Sequence, residues 1–275
     1  DSCLSVVSVL DTFPPTAICK NRTLYLSAIG EVILEADSLN NNSVDVCTGN
    51  NLSFQIGGSS TTQFTCSDLG LNAITLIVLD SFGNSSTCAS NVTVNDTTSP
   101  VPNCSSPTVF LDAGGFATVF AADLSAGNSD NCEVVDSFVN VVGIGSTNYT
   151  CAAIFTPQPV TLIVRDASGN TASCPTTVSV VDTISPSAAC NATFLAVLDA
   201  FGNVTVTPLD IDNGSNDNCG LVQYTINGAN SQTYTCADIG SINAILAVRD
   251  SSGQIASCPS TITVVDNTPP TASCQ

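Results

Sequence analysis

The chain has 275 residues, enough for two or three ordinary domains, and a formal net charge of -19, with four Lys and Arg against 23 Asp and Glu. That balance repels phosphate backbones and anionic membranes, so no nucleic acid is expected as a partner. Only 10% of the residues are charged, which leaves Ser, Thr, Asn and Gly, or sugars attached to them, to keep the surface wet.

The longest apolar runs, such as residues 73–79, are strand-sized and fall short of the roughly 20 residues that span a bilayer, so no membrane segment is expected. No basic stretch followed by an apolar core opens the chain, and any secretion signal is expected to be removed or to lie outside it. Fourteen cysteines accompany no histidine and no C-x-x-C knuckle. The thiols are therefore read as disulfides of an extracellular or cell-surface protein rather than as zinc ligands.

Taken in chain order, the cysteines reveal a repeat. Cys19, Cys104, Cys190 and Cys274 recur at intervals of 85, 86 and 84, and Cys3, Cys88, Cys174 and Cys258 keep the same spacing. Two more fall at matched places in each unit: Cys47 and Cys66, Cys132 and Cys151, Cys219 and Cys236. Residues 1–15 are the expected last strand and linker of a preceding module. Residues 16–100, 101–186 and 187–270 are three modules, and 271–275 begin another. Both ends fall in the same phase of the repeat, so the natural polypeptide is expected to be longer, or identical pieces to join end to end.

Each unit opens with a strand after its first cysteine, such as TFLAVL, and a turn with Gly (LSAIGE, LDAGGF, LDAFGN) leads into a second strand. An aromatic-Thr-Cys triplet follows at Phe64, Tyr149 and Tyr234, then a strand and turn: ITLIVLDSFGN, VTLIVRDASGN and AILAVRDSSGQ. A final alternating run (NVTVND, TVSVVD, TITVVD) ends at a junction Asp shortly before Pro. No segment resembles a capped helix of ten or more residues. The predicted fold class is all-β: tandem immunoglobulin-like antiparallel β-sandwich modules, of about seven strands each, stapled by disulfides and arranged as a rod or filament.

The run C-N-A-T, S-N-D-N-C-G, T-C-A-D-I-G, V-R-D-S-S-G and V-V-D-N-T-P-P in the third unit resembles the hyalin-repeat family and related immunoglobulin-like repeats of secreted surface proteins. The resemblance spans all three units and implies an extracellular immunoglobulin-like fold with adhesive or structural roles and no catalytic residues. The first unit departs from it, with Val44-Asp45-Val46-Cys47 where the third has Asn216-Asp217-Asn218-Cys219.

Four cysteines per unit allow three pairings. Sandwich topology sets the first strand beside the last, which favours Cys19–Cys88, Cys104–Cys174 and Cys190–Cys258. Cys47–Cys66, Cys132–Cys151 and Cys219–Cys236 then follow, with Cys3 and Cys274 bonding other segments. The rival joins each fourth cysteine to the first of the next unit, 16 residues on. An extended strand would carry those two beyond a disulfide's reach unless the linker doubled back.

Asn-x-Ser/Thr sequons place candidate glycans at Asn21, Asn41, Asn51, Asn84, Asn91, Asn95, Asn148, Asn191, Asn203 and Asn213, with Asn103 the weakest because Cys104 lies inside it. No resident cofactor is expected. A calcium loop is suggested by Asp210, Asp212 and Asp217 in D-I-D-N-G-S-N-D, although turn capping by Asp explains the same residues. The junction residues Asp11, Asp96, Asp182 and Asp266 are either caps before proline or ligands between modules. Without histidine no conventional nucleophile relay exists, and no enzyme is expected. The expected function is a structural component of a glycosylated extracellular fibre, its partners being copies of itself or neighbouring modules. The alternative is an adhesin or receptor stalk that holds a binding head away from the cell.

Overall fold

The computed structural model describes residues 4–272. Every regular element longer than one helical turn is a strand. In the first repeat these are β1 (Arg22–Tyr25), β2 (Glu31–Glu35), β3 (Ser53–Gln55), β4 (Thr61–Thr65), β5 (Gly70–Leu79) and β6 (Ser85–Asn95). The second has β7 (Thr108–Phe110), β8 (Phe116–Phe120), β9 (Val134–Val139), β10 (Ser146–Thr150), β11 (Gln158–Asp166) and β12 (Thr171–Val181). The third has β13 (Thr193–Val197), β14 (Asn203–Val206), β15 (Leu221–Ile226), β16 (Gln232–Thr235), β17 (Gly240–Asp250) and β18 (Ile255–Val265).

The chain divides into two compact units: residues 1–104, 125–143 and 162–174 in one, residues 105–124, 144–161 and 175–275 in the other. The first and third repeats thus lie whole in different units, while the strands of the second are shared out. Within the first unit, β1-β6-β5-β3 form one sheet and β2-β4 another. Leu34 of β2 and Phe64 of β4 meet Leu76, Val78, Val92 and Val94 of β5 and β6 in one buried cluster. Period-two alternation on the long hairpin sends one set of side chains into that layer and the other to solvent. In the second unit β13-β18-β17-β15 and β14-β16 repeat the plan, with Val206 and Tyr234 facing Leu246, Val248, Ile262 and Val264.

The sandwiches are antiparallel except at one edge. The first strand of each repeat runs parallel to the last, Leu24 opposite Val94 and Leu195 opposite Thr263. This edge brings the first cysteine beside the fourth, and Cys19–Cys88, Cys104–Cys174 and Cys190–Cys258 are bonded. Residues 4–15 form no strand, and Leu4, Val6 and Val9 stay more than 85% exposed at 95%, 91% and 87%. The segment read as a last strand therefore pairs with no strand among the described residues.

Candidate metal and crosslink sites at the repeat junctions

The second and third cysteines of a repeat do not pair. Cys66 is bonded to Cys132 and Cys151 to Cys219, each third cysteine to the second of the following repeat, with Cα atoms 5.3 and 5.4 Å apart. The expected Cys47–Cys66, Cys132–Cys151 and Cys219–Cys236 bridges are therefore replaced. The reason is the length of β5: Cys66 precedes its start, while Cys47 lies near Asp80, which follows its end. Ten residues of strand hold those two poles roughly 30 Å apart. Cys47 and Cys236 remain as exposed thiols. Cys3 and Cys274 lie outside the described residues.

The turn between the first two strands is built around this crosslink. Gly30 and Gly115 adopt positive φ of 76° and 78°. A Cβ on Gly30 would sit 2.6 Å from the Asn131 carbonyl oxygen and 2.8 Å from Cys66 Sγ. On Gly115 it would sit 2.8 Å from Cys151 Sγ and 3.0 Å from the Asn218 carbonyl oxygen. Gly is therefore demanded both by conformation and by the close passage of the next repeat's loop. Gly202 keeps the same backbone, and its Cβ would meet the free Cys236 Sγ at 2.6 Å.

Beside each bridge lies a triad of carboxylates. Asp96, Asp130 and Asp166 offer oxygens within 4.8 Å of one another, as do Asp182, Asp217 and Asp250. Each triad joins the Asp that ends one repeat, the Asp two residues before the second cysteine of the next, and the Asp in the turn after that repeat's long strand. Two unit charges at such a distance repel by about 3.5 kcal/mol at an effective dielectric of 20. Among the described residues the one ion pair is Arg165 with Asp136, with Arg165 also over the Phe138 ring at 5.2 Å, so it does not neutralise Asp166.

Half of every carboxylate but that of Asp166, which gives both oxygens to Asn170, is spent on local structure. Asp96 Oδ1 accepts from Thr98 N at 3.0 Å and Asn131 Nδ2 at 3.1 Å, and Asp182 Oδ1 accepts from Ile184 N at 3.1 Å and Asn218 Nδ2 at 3.2 Å. Asp130 and Asp217 each cap the N–H of the bridged cysteine, at 2.9 and 2.8 Å. Asn131 and Asn218 also donate to Ser27 O and Asp112 O, both at 3.1 Å. The second oxygens of Asp96, Asp130, Asp182, Asp217 and Asp250, and the amide oxygens of Asn131 and Asn218, are buried without any partner. The junction Asp is therefore both a cap and a member of a cluster.

At the first junction Asp11, Asp45 and Cys47 come together instead. Val46 stands where Asn131 and Asn218 stand, and it is 95% exposed. Asp45 Oδ1 accepts from Thr48 N at 2.7 Å, Cys47 N at 2.9 Å and Thr48 Oγ1 at 3.0 Å. The Thr48 N–H, the largest influence, holds Asp45 below its ordinary value against the opposing effect of burial. Burial, and then Asp11, push the Cys47 thiol up.

Of the three sequence-derived calcium candidates, only Asp217 joins a cluster. Asp210 Oδ2 caps its own turn, accepting from Thr207 N at 2.7 Å and Thr207 Oγ1 at 2.8 Å, and Asp212 accepts from Gly214 N and Ser215 N. The residues that complete the triads, Asp166 and Asp250, were visible only as turn residues in D-A-S-G-N and D-S-S-G-Q. Asn21, Asn41, Asn51, Asn91, Asn203 and Asn213 are exposed, as a glycan acceptor must be. Asn148 is exposed as well, whereas Asn95 and Asn191 are half-buried. Asn84 is half-buried too, and its Nδ2 donates to Asp80 Oδ2 at 2.7 Å and Asp11 O at 3.1 Å, bonds that a sugar there would disturb.

No helix among the described residues is long and apolar enough to cross a membrane. No family model and no curated protein matches the chain, so the hyalin-repeat likeness rests on its quoted motifs. Among solved structures, the chain is similar to the I-band fragment I67-I69 from titin, at 13% identity over 93% of this chain and 100% of that one, with a TM-score of 0.40. It is similar to Sidekick-1 immunoglobulin domains 1-5 at 10% identity, over 93% and 60%, with a TM-score of 0.38. Protocadherin gammaB7 EC3-6 gives 13% identity over 90% and 72%, with a TM-score of 0.33. Likenesses of this strength say nothing of what the chain does.

Proposed function

We propose that the chain is a non-catalytic structural component of a glycosylated extracellular fibre, in which disulfides tie each repeat to the next. The observation that carries this reading is the pair Cys66–Cys132 and Cys151–Cys219, which joins consecutive repeats by a rule that the sequence can extend. By that rule Cys236 waits for a second-position cysteine and Cys47 for a third-position one. Both are exposed, and Gly202 keeps beside Cys236 the space that Gly30 and Gly115 keep beside the bonded pairs. Cys236 of one copy then bonds Cys47 of another: two thiols give up two protons and two electrons to a small-molecule disulfide, which leaves as two thiols. Five disulfides among the described residues fit an oxidising, extracellular setting.

The test is to incubate the purified chain at high concentration with glutathione disulfide and to follow it by non-reducing electrophoresis and peptide mapping. The expected result is a reducible ladder of multiples with a Cys47–Cys236 peptide, abolished by Cys236→Ser. A chain that stays single, or that crosslinks through other cysteines, overturns the reading and leaves the stalk as the better account.

A further inference from the structure

Among the described residues no Lys or Arg pairs with the buried carboxylates at the junctions, and burying anionic oxygens without partners is costly enough that proteins rarely retain them unanswered. Asp96 and Asp182 are only 6% and 5% exposed, and Asp250 is 1% exposed. Each has a buried Oδ2 without a hydrogen-bond partner, and each brings a carboxylate oxygen to its cluster. We propose that the Asp96, Asp130, Asp166 cluster and the Asp182, Asp217, Asp250 cluster each bind one calcium ion, with Asn131 and Asn218 as neutral oxygen ligands.

The donor chemistry selects the ion. All the donors are hard oxygens, with neither imidazole nor thiolate, which disfavours zinc and copper. At the third repeat Asp182 Oδ2, Asp217 Oδ1, Asp250 Oδ2 and Asn218 Oδ1 are buried and unsatisfied. Four protein oxygens with water to complete six to eight ligands suit calcium, which tolerates irregular shells, better than magnesium, which demands a near-ideal octahedron. At the second repeat, Asp166 already accepts from Asn170 with both oxygens, at 2.8 and 2.7 Å, but a carboxylate oxygen keeps a further lone pair for a metal. The first junction is the poorer site, since Val46 supplies no amide and Cys47 no hard oxygen.

Calcium there would do more than cancel charge. It would bond the Asp that ends one repeat to two loops of the next, alongside the disulfide that spans the same place. The ion and the bridge fix the junction by independent chemistries. Calcium binding is read on the single chain, so it stands or falls apart from the fibre reading.

Equilibrium dialysis of the chelator-stripped chain against radioactive calcium tests this directly. The expected result is saturable binding in which the pair Asp130→Asn and Asp96→Asn removes one ion, and the pair Asp217→Asn and Asp182→Asn removes another. The same variants give a second readout that keeps the test sound if one folds poorly. In chelator each should melt at a higher temperature than the unaltered chain, because repulsion is relieved. In millimolar calcium each should melt lower, because a ligand set is lost. Absence of saturable binding, or a change in melting temperature of the same sign in both buffers, overturns the proposal.

Discussion

The first junction and the two that follow share one plan and differ in completeness. At Asp96 and Asp182, a bonded cysteine pair, an Asn reaching back to the previous repeat, and three carboxylates lie side by side. At Asp11 the cysteine is a free thiol and a valine replaces the Asn. The loop there instead closes on itself, with Asp45 paired to Gly49 in a short antiparallel bridge and its carboxylate turned on Cys47 and Thr48. The contrast teaches that the loop around the second cysteine has no single form: its own residues, Val46 and Thr48 in the first repeat, set a self-closed turn where Asn131 and Asn218 reach back to the previous repeat.

The largest test of that contrast is to remove a crosslink from each kind of junction. Replacing Cys66 and Cys132 together by Ser opens a bridge of sequence separation 66. In the loop-entropy picture this costs about 4 kcal/mol. Replacing the free Cys47 by Ser should stay within about 0.5 kcal/mol, as exposed substitutions do. Urea denaturation of the two variants reads the difference, and equal midpoints would mean that the Cys66–Cys132 bond contributes nothing to folding.

Gly30 and Gly202 give a smaller version of the same comparison. Both have φ of 76°, so alanine at either pays for a left-handed backbone, about 1–2 kcal/mol. At Gly30 the new methyl also strikes the Asn131 carbonyl, which cannot swing aside, whereas at Gly202 it meets only the thiol of Cys236. Gly30→Ala should therefore lose more stability than Gly202→Ala, by about 1 kcal/mol or more. Equal losses by thermal melting would show that the passage beside Gly30 is looser than its geometry implies.

The sandwich itself was legible in the sequence because alternation, turn glycines and cysteine cadence all agree on it. The partners of the first and fourth cysteines followed from strand adjacency within one repeat. The partners of Cys66 and Cys151 did not, because they depend on which pole of the strand pair each cysteine occupies, and spacing along the chain carries no sign of that. Asp166 and Asp250 were hidden for a related reason. An Asp three residues before Gly reads as a turn cap, and Asp80, Asp166 and Asp250 do cap their turns through Asn84, Asn170 and Gln254. That the same carboxylates also face the next loop is a long-range fact.

The smallest expected effect isolates the first junction by pH. Asp45 is held below its ordinary value, chiefly by the Thr48 N–H, so its folded form binds a proton less readily than its unfolded form. Its contribution is present in full above the unfolded value, about 3.9, and is lost as pH falls through the lower folded value. Asp45→Asn should therefore melt below the unaltered chain at neutral pH in chelator, and the gap should close on acidification below about pH 4. The counterpart Asp217→Asn, at a junction where the carboxylate faces Asp182 and Asp250, should melt above the unaltered chain at neutral pH in chelator. If both variants melt higher, the hydrogen bonds of the Asp45 loop do not outweigh its repulsion; if both melt lower, capping outweighs repulsion at Asp217 too, and in either case the two kinds of junction are electrostatically alike.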